Sequence, residues 1–200
     1  MKTATKASDR TIQRNLQTWL DAATPEARRA GLTWYDDAQK YAAFLSVTFN
    51  VSRKVAAGVI SALSPNNKWE RNKIDAFNVL QAVQDGKTPD DVKVCTYGAN
   101  KRKAFAIANG DQKILESSPK THAFAMNVGE LSADHVTVDK WHMRACLTNS
   151  RKRTKVQESP TKVQYKRIER ITARMAKRYG LKGYELQAII WVTIKENWEA

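Results

Sequence analysis

Apolar residues recur at the three-to-four spacing of a helix along nearly all of this 200-residue chain. No other feature constrains the fold as strongly. Ile12, Leu16, Trp19 and Leu20 share one face of a segment over 10–22. Thr24-Pro25-Glu26 signals a helix start, and Gly31 predicts its stop. A further helix is expected from Trp34 to Phe49, with Tyr41, Phe44, Leu45, Thr48 and Phe49 on its apolar side. Ser52 caps the next, lined by Val55, Val59, Ile60 and Leu63. Ser64-Pro65 has the pattern of an N-cap followed by proline at the first helical position. The helix it opens carries Ile74, Phe77, Leu80 and Val83 and ends at Asp85-Gly86. Shorter helices are expected over Tyr97–Ala108, Thr121–Val128 and Asp139–Thr148. Ser159-Pro160 begins a long one, with Val163, Ile168, Ile171, Met175 and Tyr179 as its buried stripe and Gly180 closing it. Leu186, Ile189, Ile190, Val192 and Ile194 mark a last helix from Tyr184 to Trp198.

The one strand candidate, His135–Val138, is too short to build a sheet. The expected fold is therefore all-α, a two-lobed bundle of about eight to ten helices. One domain over 1–200 is expected to divide into a lobe of about 10–50 plus 150–200 and a lobe of about 51–149, the latter holding Asp139.

Charge narrows the partner. Lys and Arg number 34 against 20 Asp and Glu, a net +14. Such an excess attracts polyanions, and the cations cluster. Lys101-Arg102-Lys103 and Arg151-Lys152-Arg153 are contiguous, while Lys166, Arg170, Arg174 and Lys177 recur at helical spacing. A strip of cations on one helix face suits a phosphate backbone; each cluster alone also suits a solvated surface. Double-stranded DNA is the expected partner, in preference to a small molecule, and a monomer is expected. No apolar run approaches the length of a membrane span, and the polar N-terminus has no apolar core of a signal peptide. A cytoplasmic protein is expected, in the host cytoplasm if its source is viral.

Several chemistries lack their residues. Cys95 and Cys146 form no CxxC pair, so both are expected to be buried thiols. His122, His135 and His142 lack the spacing of a helical zinc site, so no metal and no cofactor is expected. No phosphate-cradling glycine loop or nucleophile elbow occurs. Of the six tryptophans, Trp69 stands apart, because it lies in the polar stretch Ser64-Pro65-Asn66-Asn67-Lys68-Trp69.

Three segments follow in order: Val59 to Asn67, with Leu63-Ser64; Ile114 to Val128, with Lys120-Thr121; and Val138-Asp139-Lys140-Trp141-His142-Met143-Arg144. Together they resemble the helix–hairpin–helix DNA glycosylase superfamily, the endonuclease III and adenine glycosylase group, over about residues 34–198. That family has an apolar helix ending in Leu-Ser, a glycine hairpin running into Lys-Thr, and Val-Asp-Thr-His-Val-x-Arg shortly after.

The resemblance implies a DNA-acting enzyme that flips a damaged or modified base and cleaves or exchanges its N-glycosidic bond, with a possible abasic-site lyase step. Asp139 matches the carboxylate that stabilises the oxocarbenium sugar. Lys120 matches the amine that attacks C1′ in bifunctional members. Asn66 and Asn67 lie where the family has its wedge, with Ser64 and Trp69 as further base contacts. Lys68, Arg71, Lys101, Arg102, Lys103, Lys140, His142 and Arg144 are implied backbone contacts. Read from the residues alone, Asp139 is an N-cap, Lys120 a surface lysine, and Asn66 and Asn67 are turn formers.

The chain departs from the family in three ways. Glu116 and Ser118 stand at the hairpin glycines, the third motif has one extra residue, and the cysteines of the iron–sulfur cluster are absent. These departures fit glycosylase-like phage enzymes that rework modified thymines. They also fit a catalytically inactive protein of the same fold that binds nucleic acid or a protein partner through its basic face.

Overall fold

The computed structural model describes residues 7–149 and 155–199. The cluster Arg151-Lys152-Arg153 and the Trp198 side chain lie outside the described residues. The described residues hold nine α-helices and two 3₁₀ segments, joined by turns and loops, with a single bridge residue at Val156 and no strand. The helices are α1 (Asp9–Asp21), α2 (Pro25–Thr48), α3 (Arg53–Leu63), α4 (Trp69–Gln84), α5 (Gly98–Ala108), α6 (Pro119–Val128), α7 (Lys140–Leu147), α8 (Lys162–Arg178) and α9 (Gly183–Glu199). The 3₁₀ segments are Pro89–Asp91 and Gln112–Ser117. The fold is all-α.

Two compact units divide the chain: Met1–Tyr35 with Ala133–Ala200, and Asp36–Ser132. The lobes expected from sequence had boundaries some fifteen residues later, near 50 and 150. Two causes account for the shift. Gly31 does not stop a helix, so α2 runs unbroken over 25–48 and the division falls inside it, after Tyr35. The segment before Asp139 is tied to α8, which moves Asp139 into the first unit.

In the second unit, α3 is the centre. Every residue from Ala56 to Leu63 is buried, as expected of a helix apolar all round. It packs on α4, α5 and α6. Polar ties finish the joins: Ser61 Oγ donates to Thr121 O, and Asn72 Nδ2 to Ile60 O. Ser64-Pro65 does not open α4. Those residues turn, and the helix starts at Trp69. Phe44 and Ile74, expected on apolar faces, are about half exposed.

In the first unit, α1, α7, α8 and α9 pack together. Asn15 Nδ2 donates to Cys146 O and Trp19 Nε1 to Thr148 O, pinning α1 to the end of α7. Thr161 caps α8 reciprocally with Gln164, two residues after the expected Ser159-Pro160 start. Val163 and Tyr179 fall outside the buried stripe, which is Tyr165, Ile168, Ile171, Thr172, Met175 and Ala176.

Gly31 is needed for a close approach. A Cβ built there would stand 2.4 Å from the Ile189 Cα, where backbone has no room to yield. Gly31→Ala is expected to destabilise the protein by at least about 1–3 kcal/mol in urea unfolding. Gly98→Ala, whose added Cβ meets only the Arg102 guanidinium at 3.6 Å, is the control and should leave the midpoint within about 0.5 kcal/mol.

Candidate functional site

The residues singled out by sequence fall in both units. In the second, α3 ends at Leu63 and the chain reverses over Ser64–Asn67, closed by Asn67 N donating to Ser64 O at 3.2 Å. Pro65 is second in this turn and Asn66 third, with φ +58°. That order of proline then positive φ is the signature of a type II turn. Ser64 Oγ donates back to Ser61 O.

Asn67 is not available as a wedge. Its Nδ2 donates to Leu63 O at 3.3 Å and to Asp75 Oδ2 at 2.9 Å. Asp75 is fully buried, and its carboxylate also accepts from Cys95 N and from Arg71 Nε. Asn67 and Arg71 therefore brace a buried acid, because a carboxylate out of water needs donors on both oxygens. Cys95 itself is exposed, contrary to expectation; only Cys146 is buried.

Asn66 remains exposed at the tip of the turn and donates from Nδ2 to the Tyr97 hydroxyl at 3.0 Å. Thr96 Oγ1 donates to Pro65 O, latching the turn to the start of α5. Tyr97 is 65% exposed and precedes Lys101-Arg102-Lys103. Neither helical spacing nor the glycosylase resemblance singles it out. Its signal in the sequence is an aromatic residue set beside a basic run, the pattern of a base-stacking platform. Arg102 is exposed, while Lys101 donates to Val92 O. Lys68 is exposed at the N-cap position of α4. Trp69 is engaged elsewhere: its indole N–H donates to Asp37 Oδ2 at 2.6 Å, with Lys73 Nζ 5.8 Å from its ring. The Trp69 hydrogen bond, helped by Lys73, holds the Asp37 carboxyl below its ordinary range.

The hairpin-like segment is a 3₁₀ turn over Gln112–Ser117, followed by extended Ser118 at φ −125°. None of residues 116–118 has positive φ. This segment thus takes a different route from a glycine hairpin, one open to any residue. Glu116 and Lys120 are both exposed, and Lys120 is the second residue of α6. No side chain caps the α6 amides, so that terminus carries its partial positive charge beside Lys120.

In the first unit, Asp139 is the N-cap of α7, its Oδ1 accepting from His142 N at 2.8 Å. The carboxylate is half-buried. Ahead of it, Val136 and Val138 are buried, outside any helix, and without a strand partner among the described residues. Tyr165 supplies their missing bonds, its hydroxyl donating to Val136 O and accepting from Val138 N. Glu169 Oε1 accepts from Val136 N and pairs with His135. Burial pushes the Tyr165 hydroxyl well above its usual value, so it stays protonated and able to donate.

His142 is not a DNA contact. It is 1% exposed, its Nε2 lies 2.9 Å from Thr172 Oγ1, and Nδ1 meets no hydrogen-bonding partner. A charged imidazole needs two acceptors, so desolvation pushes its pKa down to about 4. Arg144, in the last turn of the same helix, is half-buried, and burial lowers its pKa. Lys140 is exposed, with Nζ 5.4 Å from the Trp141 ring. Among the described residues, no three His, Cys, Asp or Glu stand together as a metal site, and no helix is long and apolar enough to cross a membrane.

The profile of a family of unknown function, DUF7178, matches residues 1–198. The chain belongs to that family. No curated protein and no solved structure matches the chain. For this DUF7178 member, the residues brought together are Asn66 with Tyr97 on one unit and Asp139 with the α7 start on the other.

Two outcomes follow from these surroundings. The buried His142, at about 4 when folded against 6.5 when unfolded, binds its proton more readily in the unfolded chain. Its effect is absent above pH 6.5, and stability then falls with pH until about 4. Thermal and urea unfolding should show a loss near 2 kcal/mol between pH 7.5 and 5.0, a loss that His142→Gln reduces. Asn67→Ala, which strips a donor from buried Asp75, should cost about 1–3 kcal/mol, whereas Asn66→Gly should change stability by less than about 0.5 kcal/mol.

Proposed function

We propose that this protein acts on DNA as an N-glycosylase-like enzyme, with Asp139 as the carboxylate that stabilises the sugar cation and Lys120 as the candidate amine nucleophile. The observation that carries the reading is the setting of Asp139. A half-buried carboxylate is held at a helix start by the His142 amide, behind a non-helical segment pinned by Tyr165. A fixed anion of that kind stabilises positive charge as it develops, without reorganising when the bond breaks.

The chemistry follows. The bond from C1′ to the base nitrogen breaks, its electron pair leaving with the base, which takes a proton. The oxocarbenium sugar is stabilised by Asp139 until water, or the Lys120 nitrogen after giving up a proton, adds at C1′. With the amine, ring opening and loss of a proton give a Schiff base between C1′ and Nζ. Asn66 and Tyr97 are the candidate contacts to the flipped base or the gap it leaves, Tyr97 by stacking. Lys68 and Arg102, exposed in the same unit, suit backbone phosphates.

A second reading is favoured by one observation. The 3₁₀ turn over 112–117 carries exposed Glu116 where phosphate would approach a glycine hairpin. On that reading the chain binds nucleic acid without chemistry.

Borohydride trapping on duplexes carrying an abasic site, with base-release assays on modified-base duplexes, separates the two. The enzyme reading expects a covalent adduct that Lys120→Ala abolishes. It also expects base release slowed at least about a hundredfold by Asp139→Asn, which keeps the cap and so the fold. No adduct and no released base, with duplex binding unaltered in both variants, establishes the binding reading.

A further inference from the structure

The charge is unevenly shared. The unit of Met1–Tyr35 and Ala133–Ala200 has 21 Lys and Arg against 10 Asp and Glu, whereas Asp36–Ser132 has 13 against 10. Much of the excess lies on one helix. Lys162, Lys166, Arg170, Arg174 and Arg178 recur every four residues along α8, and all five are exposed. None of them forms an ion pair among the described residues. Lys177, also expected in this strip, is paired with Asp134, and Arg167 with Asp9. The only acid on α8, Glu169, turns to His135 and Val136. The five cations form a ladder about 24 Å long at 1.5 Å per residue, each rung about 40° further round the helix than the last.

Beside the C-terminal end of the ladder, α1 and α8 frame an open groove of about 300 Å³. Arg174 and Arg178 line it from α8, and Gln13 and Gln17 from α1. The Tyr179 hydroxyl donates to Gln17 Oε1 across it. These are the side chains that bond phosphate and sugar oxygens in protein–DNA contacts. Arg10 and Arg14, exposed on α1, add to the same field.

We propose that this α1–α8 face is a docking surface for the backbone of a double-stranded nucleic acid, formed by residues other than Asp139 and Lys120. Charge complementarity selects the occupant. A row of regularly spaced cations that winds slowly round a helix matches a polyanion whose charges are also regularly spaced and wind round an axis. A membrane surface fits poorly, because an interfacial helix inserts its apolar face, and that of α8 is consumed in the core by Tyr165, Ile168, Ile171 and Met175. The surface shares with the proposed function only the choice of nucleic acid as partner; it does not depend on the chemistry.

The test is the salt dependence of binding by the full chain. A fluorescently labelled duplex of arbitrary sequence, without an abasic site, is titrated by anisotropy across a salt series. Lys166→Gln/Arg170→Gln/Arg174→Gln is expected to make the slope of log K against log salt shallower by about 3, roughly one for each phosphate no longer neutralised. The charge-keeping Lys166→Arg/Arg170→Lys/Arg174→Lys should retain the wild-type slope. If the triple variant melts early, each single Gln variant should still lower the slope by about 1. An unchanged slope overturns the proposal, as does salt-sensitive binding to phosphatidylserine vesicles with none to the duplex. An intact slope effect without any borohydride adduct sinks the enzyme reading alone. An adduct lost only with Lys120→Ala, beside an unchanged slope, sinks this surface alone.

Discussion

The Tyr165 hydroxyl holds the non-helical segment that leads to Asp139. Backbone outside a helix or sheet must find partners for its N–H and C=O groups when buried. Residues 136–138 are buried and have no strand beside them, so Tyr165 gives and accepts one bond each and Glu169 takes a third. This anchoring fixes where α7 begins and therefore where the Asp139 carboxylate sits. It also sets which unit Asp139 belongs to, since Tyr165 and Glu169 are on α8.

Asp75 has the same place in the other unit. Its buried carboxylate gathers Asn67, Arg71 and the Cys95 amide, tying the turn after α3 to α4 and to the strand-like approach to α5. With Asn67 drawn inward, Asn66 is left at the tip against Tyr97. A structural acid thus positions the polar tip offered to a ligand, and the two neighbouring asparagines part company in role.

The cationic character divides in a similar way. Several cations expected to meet DNA are committed within the protein: Arg71 to Asp75, Lys101 to Val92 O, Lys177 to Asp134. Among the described residues the five ladder cations stay outside such pairs: the one acid of α8 turns to His135 and Val136, and Asp9 and Asp134 meet Arg167 and Lys177 instead. Of the pairs made by Arg71, Lys101 and Lys177, only Lys177–Asp134 is an exposed ion pair; it contributes little stability, and its main consequence is to remove charge from the outward field.

Helix period, caps and the apolar stripes were legible in the sequence, because they depend on residues three or four apart. Ser52 before α3, Gly180 after α8 and Asp139 before α7 all read correctly from such local patterns. Gly31 and Ser64-Pro65 misled, since a glycine demanded by the Ile189 backbone resembles a helix stop, and a turn proline resembles a helix start. His142 looked like a surface cation among Lys140 and Arg144 until Thr172, thirty residues on, enclosed it. By itself the sequence determined an all-α chain, its helix-forming segments and its excess of positive charge. Only the tertiary structure decided which polar residues face inward, because burial and pairing depend on partners far along the chain that no local spacing encodes.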